Sequence, residues 1–163
     1  MSKMTLHKTS IDLNSETREQ VVTLLNQQLA DTFDLYSQTK QAHWNVKGMQ
    51  FMQLHELFDK LAAELLVNVD DIAERVTSLG GTALGTARMA AAATRLPDYS
   101  PKTIGSTESV EALVARYAEL AASTRQAIDA ADELGDADTA DLFTGVSRGL
   151  DKSLWFLEAH LQA

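Results

Sequence analysis

The stretch His43-Trp44-Asn45-Val46-Lys47-Gly48, then Leu54-His55-Glu56-Leu57-Phe58-Asp59, then Val69-Asp70-Asp71-Ile72-Ala73-Glu74-Arg75, decides how this chain folds. If one helix runs from Met52 to Leu79, His55 and Asp59 share a face at i, i+4, and so do Asp70 and Glu74. Each pair can hold one side of a metal ion. His43 stands six residues before Met49 and His55 six after it. A helical hairpin turning at Gly48 therefore brings the two histidines side by side, glycine being a common residue at helix ends and turns.

The two pairs cannot meet within one helix, because Asp59 and Asp70 are eleven residues apart, roughly 16 Å at about 1.5 Å per residue. At about 100° per residue, His55, Asp59, Asp70 and Glu74 nevertheless fall near 0°, 40°, 60° and 100°, on one stripe. The two pairs are symmetric about a point between Glu64 and Leu65. An antiparallel copy of the helix, crossing there on a two-fold axis, would set His55 against Glu74 of the partner subunit and Asp59 against Asp70 of the partner subunit. A closed dimer would then hold two equivalent sites, as an isologous interface requires.

At 163 residues, one domain able to bury its own core is expected. The chain is 45% hydrophobic and 23% charged, is rich in alanine, and has prolines only at 97 and 101, which points to a mostly helical protein. Cysteine is absent, which excludes disulfides and thiolate ligands. Imidazole and carboxylate remain, a ligand set that suits iron, manganese or zinc. Lys3, His7, Lys8 and Asp12 interrupt any apolar signal region, and no run of apolar residues is long enough to span a membrane. A cytoplasmic protein is expected.

Along the chain, residues 1–13 show no sustained period and read as a flexible tail, with 14–163 forming the bundle domain. Asn14 or Ser15 can cap a first helix ending near Val46, with Leu24, Leu25, Leu29, Phe33 and Tyr36 at helical spacing. The second helix ends at Gly80-Gly81. Thr82 to Gly105 lacks a clear amphipathic period and fits one long crossover between two helical hairpins, with a short helix inside Thr86–Leu96. Ser106 or Thr107 can cap the third bundle helix, and Asp136 or Asp138 the fourth.

The pattern His43-Trp44-x-Val46-x-Gly48, Leu54-His55, Asp59, Asp70-x-Ile72-Ala73-Glu74-Arg75 and Leu79-Gly80 closely resembles the Dps proteins, the DNA-protecting mini-ferritins of starved bacterial cells. The ligand spacings of 12, 4, 11 and 4 make this far more specific than any single His or Asp. The resemblance continues in Leu150-Asp151-Lys152-Ser153-Leu154-Trp155-Phe156 and covers nearly the whole chain. It implies an all-α, ferritin-like four-helix bundle assembled as a hollow dodecamer. Its ferroxidase centre would lie between two-fold related subunits, with His43, His55 and Asp59 from one and Asp70 and Glu74 from the next. The usual ferritin Glu-x-x-His pair is not found in this segment, which also favours an intersubunit centre. The implied activity is oxidation of Fe(II), with hydrogen peroxide as oxidant, and storage of ferric mineral in the shell. Removing iron and peroxide together would protect DNA from hydroxyl radicals. Zinc is a candidate substitute for iron.

Other residues are read two ways. Trp44 is a core or interface aromatic on pattern alone, and an electron donor beside the site by resemblance. Arg75 is expected to pair with a carboxylate at the interface, and Trp155 to pack. Asp132, Asp136 and Asp141 suit helix capping and solvation, while the resemblance makes them candidates for a three-fold pore that concentrates cations. DNA binding is weakly supported: the net charge is -9 per chain, and the basic residues Lys3 and Lys8 are the candidate contacts, multivalent and salt-sensitive. The competing reading is a nucleoid-compacting, DNA-binding shell whose metal site serves assembly.

Overall fold

The computed structural model describes residues 5–162, and five helices account for most of them: α1 Ser15–Asn45, α2 Phe51–Ser78, α3 Ala87–Ala93, α4 Ser106–Glu133 and α5 Ala137–Glu158. The long helices α1, α2, α4 and α5 make an all-α bundle of two hairpins, α1–α2 and α4–α5, joined by the crossover that contains α3. Asn14 starts α1, its Oδ1 accepting the Thr17 amide at 2.9 Å, with Glu16 in the first turn where the exposed amides favour negative charge. The inward stripes meet in one apolar core, with Phe58, Leu61, Leu113, Tyr117 and Phe143 fully buried at its centre. Burial raises the Tyr117 hydroxyl well above the usual phenol range, so it stays protonated beside Thr39 Oγ1, 3.4 Å away.

The turns hold the hairpins in register. Gly48 has φ +124°, and a Cβ there would stand 2.6 Å from Ser106 Oγ, so both its backbone and its space demand glycine. The same turn is braced from α4: Lys47 N–H donates to Ile104 O at 2.7 Å and Ser106 Oγ donates to Lys47 O at 2.8 Å. This second bond explains why Gly105, rather than Ser106 or Thr107, is the cap of α4: the serine hydroxyl is spent on the turn. α2 closes in a Schellman arrangement, with Gly80 at φ +84°, Gly81 N–H bonded to Val76 O and Gly80 N–H to Thr77 O.

The crossover is pinned to α1 by side chains. Arg95 grips the buried Asp31 with its backbone amide at 2.8 Å, Nε at 2.9 Å and Nη2 at 2.6 Å. Such a fork-shaped set of charge-assisted bonds offsets the cost of burying the carboxylate. Asn26 adds a bond to Thr82 O and accepts from Leu84 N–H.

The stretch expected to be a flexible tail is instead strapped down from Leu6 onward. Leu6, Ile11 and Leu13 pack on the core, His7 N–H donates to Gly80 O at 2.8 Å, and Arg18 Nη1 reaches Leu79 O at 2.9 Å. The expectation failed because the strap has no helical period to reveal its apolar contacts. Lys8 is exposed, and Lys3 lies outside the described residues.

Candidate metal centre

The α1–α2 turn places His43 and His55 ring against ring, with centroids 3.8 Å apart and planes 20° from parallel. Each histidine is fixed by the other's backbone. His43 Nδ1 donates to His55 O at 2.7 Å, and His55 Nδ1 donates to His43 O at 2.9 Å. A carbonyl oxygen can only accept, so both Nδ1 atoms must hold the proton and both Nε2 atoms, in the neutral rings, present a lone pair. This is the arrangement in which a second bond orients a metal-binding imidazole.

Asp59, one turn along α2 from His55, brings Oδ1 to 3.9 Å from His43 Nε2. The same oxygen accepts from Lys40 Nζ at 2.6 Å. The Lys40 hydrogen bond holds the Asp59 carboxyl below the ordinary carboxylate range; desolvation opposes it, and the Lys40 charge and the two imidazoles add smaller pulls downward. Lys40 was not singled out from sequence. Its signal was available: it lies three residues before His43, on the same helical face.

The structure thus brings His43, His55 and Asp59 together and leaves Asp70 and Glu74 at the far end of α2, both exposed. Among the described residues, no three His, Asp or Glu side chains cluster as a complete metal site within one protomer. One chain presents two imidazoles and a carboxylate at one end of α2, and separately two carboxylates at the other.

Arg75 does not wait for an interface. Its Nη2 bonds both oxygens of Asp136, at 2.8 and 3.1 Å, and its Nε bonds Thr139 Oγ1 at 3.0 Å. Asp136 also caps α5, accepting Thr139 N–H at 3.0 Å and Thr139 Oγ1 at 2.6 Å. That corrects the grouping of three aspartates at a pore: Asp136 is buried, with its oxygens committed inside the protomer, whereas Asp132 and Asp141 are exposed. Trp44 is 64% exposed, with Lys40 Nζ 5.6 Å from its ring centroid, so it is no core aromatic of the protomer. Trp155 is likewise open, tilted against Phe156.

A family model described as a ferritin-like domain matches residues 22–163. Over 98% of its length and 98% of the relative's, the chain is 50% identical to a DNA protection during starvation protein of Agrobacterium fabrum. This is a Dps-family protein. The Dps fold extends to solved structures. DpsC from Streptomyces coelicolor superposes with a TM-score of 0.93 at 33% identity, covering 98% of this chain and 93% of that one. A Dps protein from Vibrio cholerae, described as a member of a broad superfamily of ferritin-like diiron-carboxylate proteins, gives 0.89 at 26% identity over 98% and 100% of the two chains. Within this Dps-family chain, the stacked imidazoles with Asp59 and the distant pair Asp70 and Glu74 are the residues that could hold iron.

Proposed function

We propose that this protein oxidises Fe(II) at centres completed across two-fold interfaces of a hollow homododecamer, and stores the ferric product inside, protecting DNA from oxidative damage. The reading rests on one observation: the reciprocally bonded His43–His55 pair, with both Nε2 lone pairs prepared and Asp59 alongside. Asp70 and Glu74 of the partner subunit would close the site. Three carboxylates and two neutral imidazoles stabilise ferric ion more than ferrous, which makes the loss of an electron easier. With peroxide as oxidant, two ferrous ions each give up one electron, the O–O bond breaks to leave both oxygens at the oxide level, and hydrolysis by water gives hydrated ferric oxide with release of four protons. Zinc fits the same donors without redox chemistry and would compete. No helix among the described residues is long and apolar enough to cross a membrane, and the proposed setting is the cytoplasm, beside the nucleoid. Exposed Asp132 and Asp141 are proposed to draw cations through a three-fold pore. Trp44 is proposed to intercept stray oxidising equivalents.

The test is anaerobic ferrous titration followed by stoichiometric peroxide, comparing the parent with His43→Ala/Asp70→Ala while shell size is checked. Fast ferric formation lost in an intact variant shell is expected. Equal rates would place oxidation elsewhere and favour direct DNA binding, which deletion of residues 1–10 would then abolish.

A further inference from the structure

Between its two groups of candidate ligands, α2 presents a short apolar face that the protomer leaves open. At the midpoint of the helix Leu61, Ala62 and Leu65 are buried in the core, while Ala63 is exposed, Leu66 is 47% exposed and Val67 60%. On the angular scale that puts His55, Asp59, Asp70 and Glu74 near 0°, 40°, 60° and 100°, Ala63 falls near 80° and Leu66 near 20°. The ligand stripe is therefore continuous, and its central turn is one small and one large apolar side chain.

Helix α1 widens this face. His43 stands level with His55, and Lys40 with Asp59, so in the antiparallel hairpin each step back along α1 matches one step forward along α2. Tyr36 then lies level with Ala62 and Ala63, and Phe33 with Leu65 and Leu66. Both rings are half-buried and tilted against each other, with centroids 6.0 Å apart. Single exposed apolar residues need no explanation, but a run of them rimmed by polar groups marks an interaction surface.

Two features choose the occupant. Ala63 and Leu66 share the midpoint, between Glu64 and Leu65, of His55 with Glu74 and of Asp59 with Asp70. A copy of α2 laid antiparallel across that point sets the large side chain of each helix against the small one of the other, which lets the two helices approach closely. The charges agree with the same placement. It sets His55 opposite Glu74 of the partner subunit, exposed Glu56 opposite Ala73 of the partner subunit, and Asp59, already paired with Lys40, opposite Asp70 of the partner subunit. A parallel copy would set each carboxylate against its own counterpart.

Given the intersubunit centre proposed above, on which this rests, we infer that the open face of α1 and α2 binds a second copy of this chain, with Leu66 of each subunit seated against Ala63 of the partner subunit. That contact fixes the register in which the two groups of ligands meet. Ala63 and Leu66 are positioning residues, acting on iron only through the placement of the helices.

The chain has no cysteine, so a cross-link reads the register directly. Assembled Ala63→Cys/Leu66→Cys protein, mildly oxidised, is expected to run as a covalent dimer on a denaturing gel without reductant, because a disulfide requires Cα atoms within about 7 Å. Either single change should bridge at least about tenfold more slowly. Leu66→Glu alters each two-fold interface twice and should weaken subunit association about a hundredfold or more in sedimentation, while circular dichroism still shows a folded helical chain. Adding Ala63→Lys to it should restore association, each ammonium meeting a carboxylate across the axis. A Leu66→Glu protein that assembles like its parent overturns the inference. So does a double-cysteine shell without covalent dimers, or bridging as fast in a single variant. Cross-linked shells that fail to oxidise Fe(II) would sink the iron reading alone and leave the surface standing. Oxidation that needs Asp70, in shells that never form the bridge, would do the reverse.

Discussion

The two ends of α2 solve opposite problems with the same kinds of residue. At the N-terminal end, His55 and Asp59 are ordered before any metal arrives, by the partner histidine's carbonyl and by Lys40. At the C-terminal end, Asp70 and Glu74 stand exposed, while their neighbour Arg75 is bound to the bundle through Asp136 and Thr139. A fixed group of donors stands at one end of α2 and an adjustable pair at the other. The difference teaches that the proposed shared centre needs precision on one side only: two surface carboxylates would settle onto a cation whose position the imidazoles dictate.

The sharpest way to break this comparison is to separate the halves genetically. Shells of His43→Ala alone or Asp70→Ala alone should lose fast ferric formation, by about a hundredfold, in the range that disturbed metal shells show. Shells reassembled from an equal mixture should recover about a quarter of the parent rate. Random pairing makes half of the interfaces mixed, and one of the two sites in each mixed interface keeps all its ligands. No recovery in correctly sized mixed shells would mean that each site is built from one chain.

Stability should distinguish the neighbours Arg75 and Glu74. Arg75→Met leaves Asp136 buried and unpaired, for a loss of about 3 kcal/mol, read as a lower unfolding midpoint in denaturant. Glu74→Gln at an exposed position should change the midpoint hardly at all. At the rigid end, Gly48→Ala must hold a positive φ and push into Ser106, costing about 1–3 kcal/mol. It should also weaken cobalt binding, seen in the visible spectrum, because the turn that aims both rings is displaced.

The smallest effect is at Lys40. Lys40→Ala frees Asp59 Oδ1 and should raise metal affinity severalfold by calorimetry. It should also return Asp59 from its lowered value to ordinary carboxylate titration, followed by NMR. The sign is that of a depressed carboxyl: the Lys40–Asp59 pair contributes above about pH 4 and is lost as pH falls through the lowered folded value. Being exposed, the pair should hardly alter overall stability.

Much of this was readable from spacing. His43 and His55 are equidistant from Met49 and flank a glycine, so any helical hairpin there had to juxtapose them, and the structure does. The split of the carboxylates followed from the rise of a helix. Asp136 was not readable in the same way: a string of aspartates at a helix start looks alike whether it faces water or an arginine 61 residues earlier. The cap of α4 was misplaced by one residue because Ser106 Oγ bonds Lys47 O, a contact across the fold that no local pattern announces. The strap at residues 6–13 escaped for a related reason: its contacts are single apolar side chains and one backbone bond, without a period.

One consequence of the crossed histidine bonds concerns timing. Each ring's Nδ1 bonds the other's main-chain carbonyl, so the tautomers are set as soon as α1 and α2 pair. On the proposed reading, a newly folded, solitary subunit would already be able to pick up a cation, yet would lack the opposing carboxylates. Assembly would then act as the safety catch: oxidation would begin when two subunits meet, at the moment there is an enclosure to receive its product.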